Sequence, residues 1–423
     1  MNNRKLFIIC IATMLMFNSF AQTRISSPYS RYGIGDLQND KCQRNLSIGG
    51  ISFGYRNSSS VNYTNPASYT VFDTASFVFE TGINSRFTQI SSNSTSQKSN
   101  YTSLGYIVMG FPVTKWWGAS AGLLPYSSVG YKISDSDNKT NVGNINYLYE
   151  GDGGLSQFYF GNSFEPFKGL SLGFNASYLF GYLNKTRTVS FPDSVNFLNL
   201  RIKNSTIVSD LLLNYGIQYE KSLGSNLKMV AGFVLNTPAK LSAKQDTLAY
   251  HFFASNSEET IKDTIIKPLG SKGSVTLPLG LGGGITIGKP DSWLFGVDFQ
   301  TQNWEKYSSF GEKDSLKNTW MASFGGEFTP KNSISSSYFK KIHYRIGGRY
   351  NKTYLQLRNN QLTEVAFSFG FGLPLKRSKT SINLGFEIGQ RGTTKDNLIK
   401  ENFGRLTLSL SIYEYWFFKR RFD

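Results

Sequence analysis

Residues Arg405–Ile412 read RLTLSLSI, and this alternation decides the fold class. Successive side chains of a strand point to opposite faces, so leucine and isoleucine lie on one face here and threonine and serine on the other. Val365–Gly372 and Ser381–Gly389 alternate in the same way, and the second stretch places a carboxylate, Glu387, on its small-residue face. The chain therefore contains strands that are apolar on one face only.

Fourteen stretches of this kind are spread over the chain, and we expect each of them to form a strand. Their predicted positions are residues 76–90, 100–112, 115–133, 154–165, 169–189, 205–223, 226–243, 271–289, 291–303, 316–329, 338–357, 362–374, 379–391 and 402–417.

The connections between these strands are by turns short and long. Short turns are predicted at Pro112–Lys115, Glu165–Lys168, Gly224–Ser225 and Lys289–Asp291. Long connections, rich in Ser, Asn, Asp and Lys, are predicted at Ser91–Asn100, Ser134–Gly153, Ser190–Asn204 and Lys244–Gly270. An even number of strands with short inner turns and long outer loops is typical of outer-membrane proteins. The predicted fold is all-β, a transmembrane antiparallel β-barrel of about 14 strands in the cell outer membrane of a Gram-negative bacterium.

Composition supports a membrane barrel. The 423 residues include 34 Phe, 24 Tyr and 6 Trp, a load that suits aromatic girdles at the two membrane interfaces. After the first 21 residues the sequence has no run of 18 apolar residues, so no transmembrane helix is predicted there. The alternative, in which the aromatic residues form the core of a soluble β protein, is less consistent with the spacing of the loops.

The first residues have the features of a signal peptide. Arg4 and Lys5 are followed by an apolar stretch, Leu6–Phe20, and by small residues at Ser19 and Ala21. We therefore predict a signal peptide at residues 1–21, cleaved after Ala21. Cleavage leaves one cysteine, Cys42, which excludes an internal disulfide.

The formal charge of +17 does not indicate nucleic-acid binding. Basic residues are scattered over predicted loops and strand ends, and no nucleic-acid-binding module is recognisable. In an outer-membrane protein this charge suits anionic lipid headgroups and the phosphates of lipopolysaccharide. Lys419, Arg420 and Arg421 are predicted at the inner headgroup level or, alternatively, in a solvated basic tail.

The segment before the first strand differs from the rest. Residues 22–74 are too rich in Gly, Pro and Asn for a spanning strand, yet they contain many aromatic residues, which need a place to be buried. A barrel of about fourteen strands has a lumen that wall side chains alone do not fill. We therefore predict three parts: a signal peptide (1–21), an N-terminal hatch or plug (22–74), and an outer-membrane β-barrel (75–423).

Several motifs carry a resemblance to a known family. Asn65-Pro66-Ala67 precedes the first strand, and Ser27–Leu37, Leu123–Tyr131 and Gly389–Gly392 are further stretches of this kind. With these motifs the chain resembles a divergent branch of the FadL family of outer-membrane transporters. The resemblance implies passive uptake of hydrophobic, fatty-acid-like molecules through a barrel gated by the hatch, with a hydrophobic ligand in an apolar pocket and a lateral exit through the wall.

Charged residues are predicted to face the lumen on several strands. By strand parity this set comprises Asp210, Glu220, Asp298, Glu327, Arg345, Arg349, Glu387 and Arg391. Buried charges are usually paired, so the mixture of signs predicts salt bridges that brace the barrel against the hatch. A polar permeation path is the alternative. Pro278–Gly284 and Pro374 place proline and glycine in or at strands, which predicts a wall defect or ordinary strand curvature.

Catalytic and cofactor motifs are missing from the sequence. His251 and His343 have no Ser, Cys or acid at a recognisable spacing, and Gly280–Gly284 is not followed by Lys and Ser or Thr. We expect no enzyme activity, no cofactor and no metal site. The sequence leaves three hypotheses: a transporter of hydrophobic molecules, a non-transporting structural subunit of an outer-membrane assembly or protein-secretion complex with other outer-membrane proteins as partners, and an enzyme.

Overall fold

The structure is a computed structural model, and it describes residues 27–38, 41–193, 197–224, 226–255, 258–267, 269–331, 336–376 and 378–416. The predicted signal peptide and Lys419–Arg421 lie outside the described residues.

The described chain is almost entirely strand. The strands are β1 (Asp36–Leu37), β2 (Ser76–Ser91), β3 (Ser96–Pro112), β4 (Trp117–Lys139), β5 (Gly143–Phe167), β6 (Leu170–Ser190), β7 (Asn199–Ser222), β8 (Lys228–Asn236), β9 (Ala239–Ser255), β10 (Glu258–Ile266), β11 (Ser271–Leu277), β12 (Gly280–Lys289), β13 (Trp293–Gln302), β14 (Ser308–Ser309), β15 (Thr319–Phe328), β16 (His343–Leu357), β17 (Asn360–Pro374), β18 (Ser381–Gly392) and β19 (Lys400–Tyr415).

Helices are short in this structure. The helical segments are α1 (Gln43–Leu46), α2 (Tyr338–Lys341) and the 3-10 turns Pro28–Arg31, Pro66–Val71, Trp304–Lys306 and Lys395–Asn397. None of the helices in the described ranges has the length and apolarity required to cross a membrane.

The strands close into a barrel. Neighbours in the wall are antiparallel, and β19 pairs with β2 from Tyr415 opposite Ser76 to Lys400 opposite Ser91, which completes the ring. β8 and β9 together form one wall strand and β10, β11 and β12 form the next, so the wall has fourteen strands. The predicted all-β barrel of about 14 strands is confirmed.

The two faces of each strand meet different surroundings, as in other membrane barrels. On β19, Leu406 and Leu408 point outward and are 39% and 45% exposed, whereas Thr407 and Ser409 are buried inside. Phe367 on β17 is 58% exposed toward the lipid. An apolar outer face with small polar residues inside allows the strands to lie in hydrocarbon while the ladder of hydrogen bonds satisfies the backbone.

Two segments predicted as long loops are strands instead. Ser134–Gly153 belongs mostly to the hairpin of β4 and β5, and Lys244–Gly270 mostly to the hairpin of β9 and β10. Both faces of these extensions lie outside the bilayer, so they need no apolar alternation and cannot be recognised by it.

The extensions of β4, β5, β6, β7, β9 and β10 pair with one another in that order, and we call them the outer sheet. The connection after β13, in which β14 pairs with β11, turns inward. It buries Trp304, Tyr307 and Leu316 in an apolar cluster with Tyr29 and Ile34 of the N-terminal segment. This cluster covers the outer end of the barrel.

Proline interrupts two neighbouring wall strands at one level. Pro238 separates β8 from β9, and Pro278 separates β11 from β12. The glycine run beside Pro278 pairs regularly with β8 and β13, so it is not itself a break in the ladder. Pro374 is the last residue of β17, where a missing N–H is harmless.

A charge introduced on the lipid-facing side of a strand should destabilise the barrel by an amount that depends on its depth in the membrane. Leu408→Arg lies near the middle of β19 and should reduce the free energy of unfolding by about 2–4 kcal/mol, measured by urea titration in lipid vesicles. The same change at the membrane boundary, Tyr415→Arg, should cost about 0–1 kcal/mol. Equal costs at the two positions would contradict the assigned membrane span.

Candidate functional site

The hatch segment lies inside the barrel. Its described residues contact the inner face of strands all around the ring. These contacts include Asp36 with β4, Tyr69 with β6, Asn65 with β7, Gly54 with β12, Ser52 with β13, Arg44 with β15, Gly49 with β17 and Val61 with β2. A segment that touches opposite sides of a closed wall occupies the lumen.

Asn65-Pro66-Ala67 starts a 3-10 turn against the wall. The Asn65 side chain accepts a hydrogen bond from the Ala67 backbone N–H at 3.1 Å and donates to the carbonyl groups of Phe53 at 2.7 Å and Ile217 at 3.3 Å. Proline suits the first position of such a turn because its missing N–H would have no partner there. The motif thus joins two parts of the hatch to β7.

Glycine on the wall lets the hatch backbone approach closely. A Cβ atom added at Gly347 would overlap the backbone of Ile48 and Gly49, and one added at Gly232 would overlap the backbone carbonyl of Phe53. In contrast, a Cβ atom at Gly404 on β19 would meet nothing within 4 Å. The wall glycines therefore form the surface against which the hatch backbone packs.

The first charge cluster joins the hatch to β15 and β16. Arg44 of α1 donates to the Glu327 carboxylate at 2.7 and 3.1 Å, and Arg345 donates to the same carboxylate at 2.6 Å. All three side chains are buried or nearly so. Arg345 also donates to Asn383 on β18 at 2.8 Å, so one carboxylate links the hatch with three wall strands.

The second charge cluster lies toward the outer end of the lumen. Arg349 pairs with Glu387 and, at 2.9 Å, with Glu364. Arg405 lies 3.5 Å from Glu387. These four residues come from β16, β17, β18 and β19, so the cluster connects neighbouring wall strands to one another.

Arg391 connects this region to the hatch. Its guanidinium lies 2.7 Å from the Asp36 carboxylate, and both groups are buried. Nearby, Ser27 of the hatch donates to Glu401 of β19. The ion pair of Asp36 with Arg391 and the hydrogen bond from Ser27 to Glu401 therefore connect the first described residues of the hatch to β18 and β19.

The remaining predicted lumen residues differ in their contacts. Asp298 accepts hydrogen bonds from the backbone N–H groups of Ser52 at 2.7 Å and Phe53 at 3.0 Å. Glu220 lies 3.5 Å from Arg56 of the hatch. Asp210 does not share in this arrangement, because its carboxylate accepts from the N–H and hydroxyl groups of Ser242 on β9.

Strand parity predicts charged residues on the wall but not all the partners that the structure places beside them. Glu364 and Glu401 are not in the predicted set, although both have the inward parity of their strands. Asp36 and Arg44 are not in it either, and parity cannot place them because the hatch has no regular period. The unmatched charges of the wall were the available signal, since a buried charge requires a partner of opposite sign.

A hatch strand occupies a break in the wall. The ladder between β3 and β4 runs only from Ile107 opposite Leu123 to Pro112 opposite Gly118 within the described residues. Beyond it, β1 pairs with β4, with Asp36 opposite Ser128 and Leu37 opposite Ser127. The hatch thus supplies to β4 the backbone partner that β3 supplies nearer the inner end.

Two cavities remain around the hatch. The outer one, of about 300 Å³, reaches the break at Leu124–Tyr126 and also the interruption at Pro278. Its charged and amide lining residues are Asp36, Gln38, Arg86, Gln157, Asn175, Asn214, Asn236, Gln300, Gln302, Arg349, Asn351, Glu364, Arg391 and Arg405. Its apolar lining residues include Leu124, Leu212, Leu277, Met321 and Trp304, so the cavity is mixed in character. The polar groups favour water or a polar solute, whereas the transport hypothesis requires the apolar part of the lining.

The inner cavity, of about 570 Å³, also has both polar and apolar lining residues. Arg44, Arg56, Glu220 and Glu327 line it together with the inner turns. At its edge the Asp73 carboxylate accepts hydrogen bonds from Lys379 at 2.5 Å and Tyr413 at 2.7 Å. Partial burial raises the pKa of Asp73, but these two hydrogen bonds outweigh it and lower the pKa below its usual value.

The two histidines make different contacts. His251 contacts Asp263 at 3.0 Å in the outer sheet. His343 meets a hydroxyl, Thr329, at 2.7 Å and a carboxylate, Glu327, at 3.5 Å, but both contacts involve Nδ1. A catalytic triad needs the hydroxyl and the carboxylate on different ring nitrogens. Within the described residues no group of three or more His, Cys, Asp and Glu could hold a metal ion.

Solved structures with this architecture are outer-membrane barrels. A FadL homologue of Pseudomonas aeruginosa shares 10% identity over 89% of this chain and 98% of its own, with a TM-score of 0.61. The toluene transporter TbuX of Ralstonia pickettii shares 13% identity over 92% and 99%, with a TM-score of 0.57. The toluene transporter TodX of Pseudomonas putida shares 16% identity over 91% and 100%, also with a TM-score of 0.57.

These likenesses confirm the FadL-like fold of the chain. A family model described as BamG matches residues 3–423. The curated proteins contain no match to the sequence.

Because the hatch packs closely against some wall glycines and not against others, substituting a wall glycine by alanine should have a different effect at the two kinds of position. Gly347→Ala should displace the hatch backbone, lower the free energy of unfolding by about 1–3 kcal/mol, and make residues 41–74 more sensitive to limited proteolysis. Gly404→Ala, also on a wall strand, should change neither. A hatch equally resistant in both variants would show that it is not held against Gly347.

Breaking the first charge cluster should be costly. Glu327→Gln leaves Arg44 and Arg345 buried without a carboxylate and should reduce the free energy of unfolding by about 3–5 kcal/mol in a chemical denaturation experiment. Glu150 and Lys132 form an exposed pair at 2.9 Å, and Glu150→Gln should cost about 0–1 kcal/mol. A small loss for Glu327→Gln would mean that the cluster does not brace the hatch.

Proposed function

The chain belongs to the BamG family, and we propose that it is a hatch-sealed, non-transporting subunit of an outer-membrane assembly or protein-secretion complex. The observation that carries this proposal is the fixed hatch. Buried ion pairs, strand pairing with β4 and backbone packing on wall glycines all hold it in the lumen. A barrel built this way is suited to act through its surfaces.

Energetics support a static hatch. Movement of α1 away from β15 would leave Glu327 and Arg345 without Arg44, and movement of β1 would expose Asp36 and Arg391. Removing one partner of a buried ion pair typically costs about 3–5 kcal/mol, because the other charge stays buried without a partner. Opening would separate several pairs together with the β1 ladder, so the open state would be sparsely populated unless a ligand replaced those contacts.

Passive uptake of hydrophobic molecules is the second candidate. The observation in its favour is the break between β3 and β4, behind which the outer cavity reaches Leu124–Tyr126. A route through the wall there would require β1 to leave β4. The fold shared with the two toluene transporters is compatible with this route.

The remaining features belong to the same proposal. We infer cleavage of the leader after Ala21, which lowers the formal charge from +17 to +15 by removing Arg4 and Lys5. The basic surplus would contact anionic headgroups and lipopolysaccharide, and the protein partners would be other outer-membrane proteins. We propose that the chain has no catalytic activity and binds no cofactor. We also propose that residues 22–74 form the hatch and that residues 75–423 form the barrel.

A disulfide that locks β1 to β4 separates the two candidates. Leu37 and Ser127 are opposite one another, and the Cα spacing of an antiparallel pair suits a disulfide. In a Cys42→Ala background, Leu37→Cys with Ser127→Cys should oxidise without loss of function. The readouts are the amount of folded outer-membrane proteins in cells that depend on the variant, and the proteins that co-purify with it.

The matched control is the same variant under reducing conditions. Uptake of a radiolabelled monoaromatic hydrocarbon into cells or proteoliposomes should be no faster with the chain than without it, locked or reduced. Uptake that appears on reduction and stops on oxidation would overturn the proposal and establish a hatch-gated channel.

A further inference from the structure

β10 is the edge strand of the outer sheet. Within the described ranges it pairs with β9 alone, from Glu258 opposite Ser255 to Ile266 opposite Ala249. The barrel order would place the chain that follows β13 beside its other edge. That chain instead turns inward and buries Trp304 and Leu316, so it supplies no strand to β10.

Both faces of β10 are in contact with solvent. Ile261, Ile265 and Ile266 are 57%, 52% and 44% exposed, whereas Tyr250 and Phe252 of the neighbouring β9 are buried. An exposed strand edge presents a row of backbone N–H and C=O groups, and natural proteins usually protect such edges with charges, proline or a bulge. This edge is nine residues long, contains no proline and is apolar at three positions. Its ladder with β9 shifts register between Ile261 and Asp263 and between Thr264 and Ile266, so the irregularities are confined to these two places and the rest of the ladder is regular.

Two acidic side chains of β10 are engaged with the sheet. Glu259 pairs with Arg201 of β7 at 2.7 Å, and Asp263 contacts His251 of β9 at 3.0 Å. These pairs hold the carboxylates against β10's own sheet. They therefore provide less protection against an incoming strand than free carboxylates would. Lys262, at the centre of the strand, contributes a positive charge.

We propose that the outer edge of β10 is a docking site for an extended strand of another polypeptide at the cell surface. The inference rests on the proposed function, since it names the kind of partner that a non-transporting subunit would hold. Backbone groups in a row are satisfied by another strand, which fixes the class of occupant. Apolar side chains of the incoming strand would pack beside Ile261 and Ile265, and a carboxylate of that strand would lie opposite Lys262.

A second copy of this chain fits the edge less well. An antiparallel pair centred on β10 would place Lys262 opposite Lys262 of the other copy, and like charges directly opposite destabilise a sheet. Lipid does not fit it either, because unpaired backbone groups are not tolerated in hydrocarbon. The occupant is therefore a different polypeptide whose strand carries the complementary charge.

Hydrogen exchange of the β10 amides tests the site directly. We would compare the full chain in native outer-membrane vesicles with the same chain purified as a monomer in detergent, using peptides that cover residues 258–266. Strand addition should slow exchange in the vesicles by at least about tenfold. Peptides from the β2–β3 tip, residues 91–96, should exchange equally in the two samples.

Substitutions then identify the contact. The double variant Ile261→Lys with Ile265→Lys adds charge at the edge and should abolish the added protection, reducing the co-purifying partner by at least about fivefold. Leu269→Lys is the control, because Leu269 is 85% exposed close by but lies outside the strand. Hydrogen exchange of β5 and β9 in both variants confirms that the barrel is folded.

A photo-crosslinking residue at position 261 identifies the occupant. Crosslinks to an extended segment of a different protein support the proposal, and crosslinks to the same chain overturn it in favour of a dimer. Partners that co-purify while β10 stays unprotected would overturn this inference and leave the proposed function standing. Unprotected β10 with no co-purifying partner would overturn both.

Discussion

A strand that crosses hydrocarbon must find a hydrogen-bond partner for every backbone N–H and C=O group, and here closure of the ring supplies those partners. Fourteen strands give a ring too wide for its own side chains to fill, so the lumen requires a separate occupant. The hatch is that occupant. Its irregular backbone is tolerated at membrane depth because it is surrounded by protein, and its aromatic residues are buried in clusters with the wall.

The same constraint explains what happens where the ladder is broken. Between β3 and β4 the missing backbone partner is replaced by β1 of the hatch, and a buried pair of Asp36 and Arg391 holds that replacement in position. Near Pro238 the Asp210 carboxylate accepts from the backbone N–H group of Ser242, so a side chain substitutes for part of the ladder. Asp210 thus satisfies a backbone group of the wall, whereas Arg391 pairs with a charge of the hatch.

Much of the barrel was predictable because lipid imposes a strict period of two. Thr407 and Leu408 show it directly, since one is buried and the other exposed, and the predicted strand limits nearby differ from the observed ones by about two residues. The period is absent where both faces meet water, so the sequence predicts a loop where β10 lies. The same parity predicts that Glu327 and Arg349 face the lumen. It gives no access to Arg44 or Asp36, because the hatch is irregular and its register on the wall depends on packing.

Proteins can share a barrel fold and still differ in function, because function depends on the residues inside the barrel. This chain has the architecture of the toluene transporters, and its outer cavity is lined by amide and charged groups together with apolar residues such as Leu124, Met321 and Trp304. An apolar solute entering the outer cavity would have to leave Arg86, Gln300 and their neighbours without water or supply hydrogen bonds that it does not have, and either route is unfavourable. The polar lining and the ion pairs of the hatch therefore act in the same direction. In the proposed function they hold the interior fixed, and the outer surface with the edge of β10 is the part that would bind a partner.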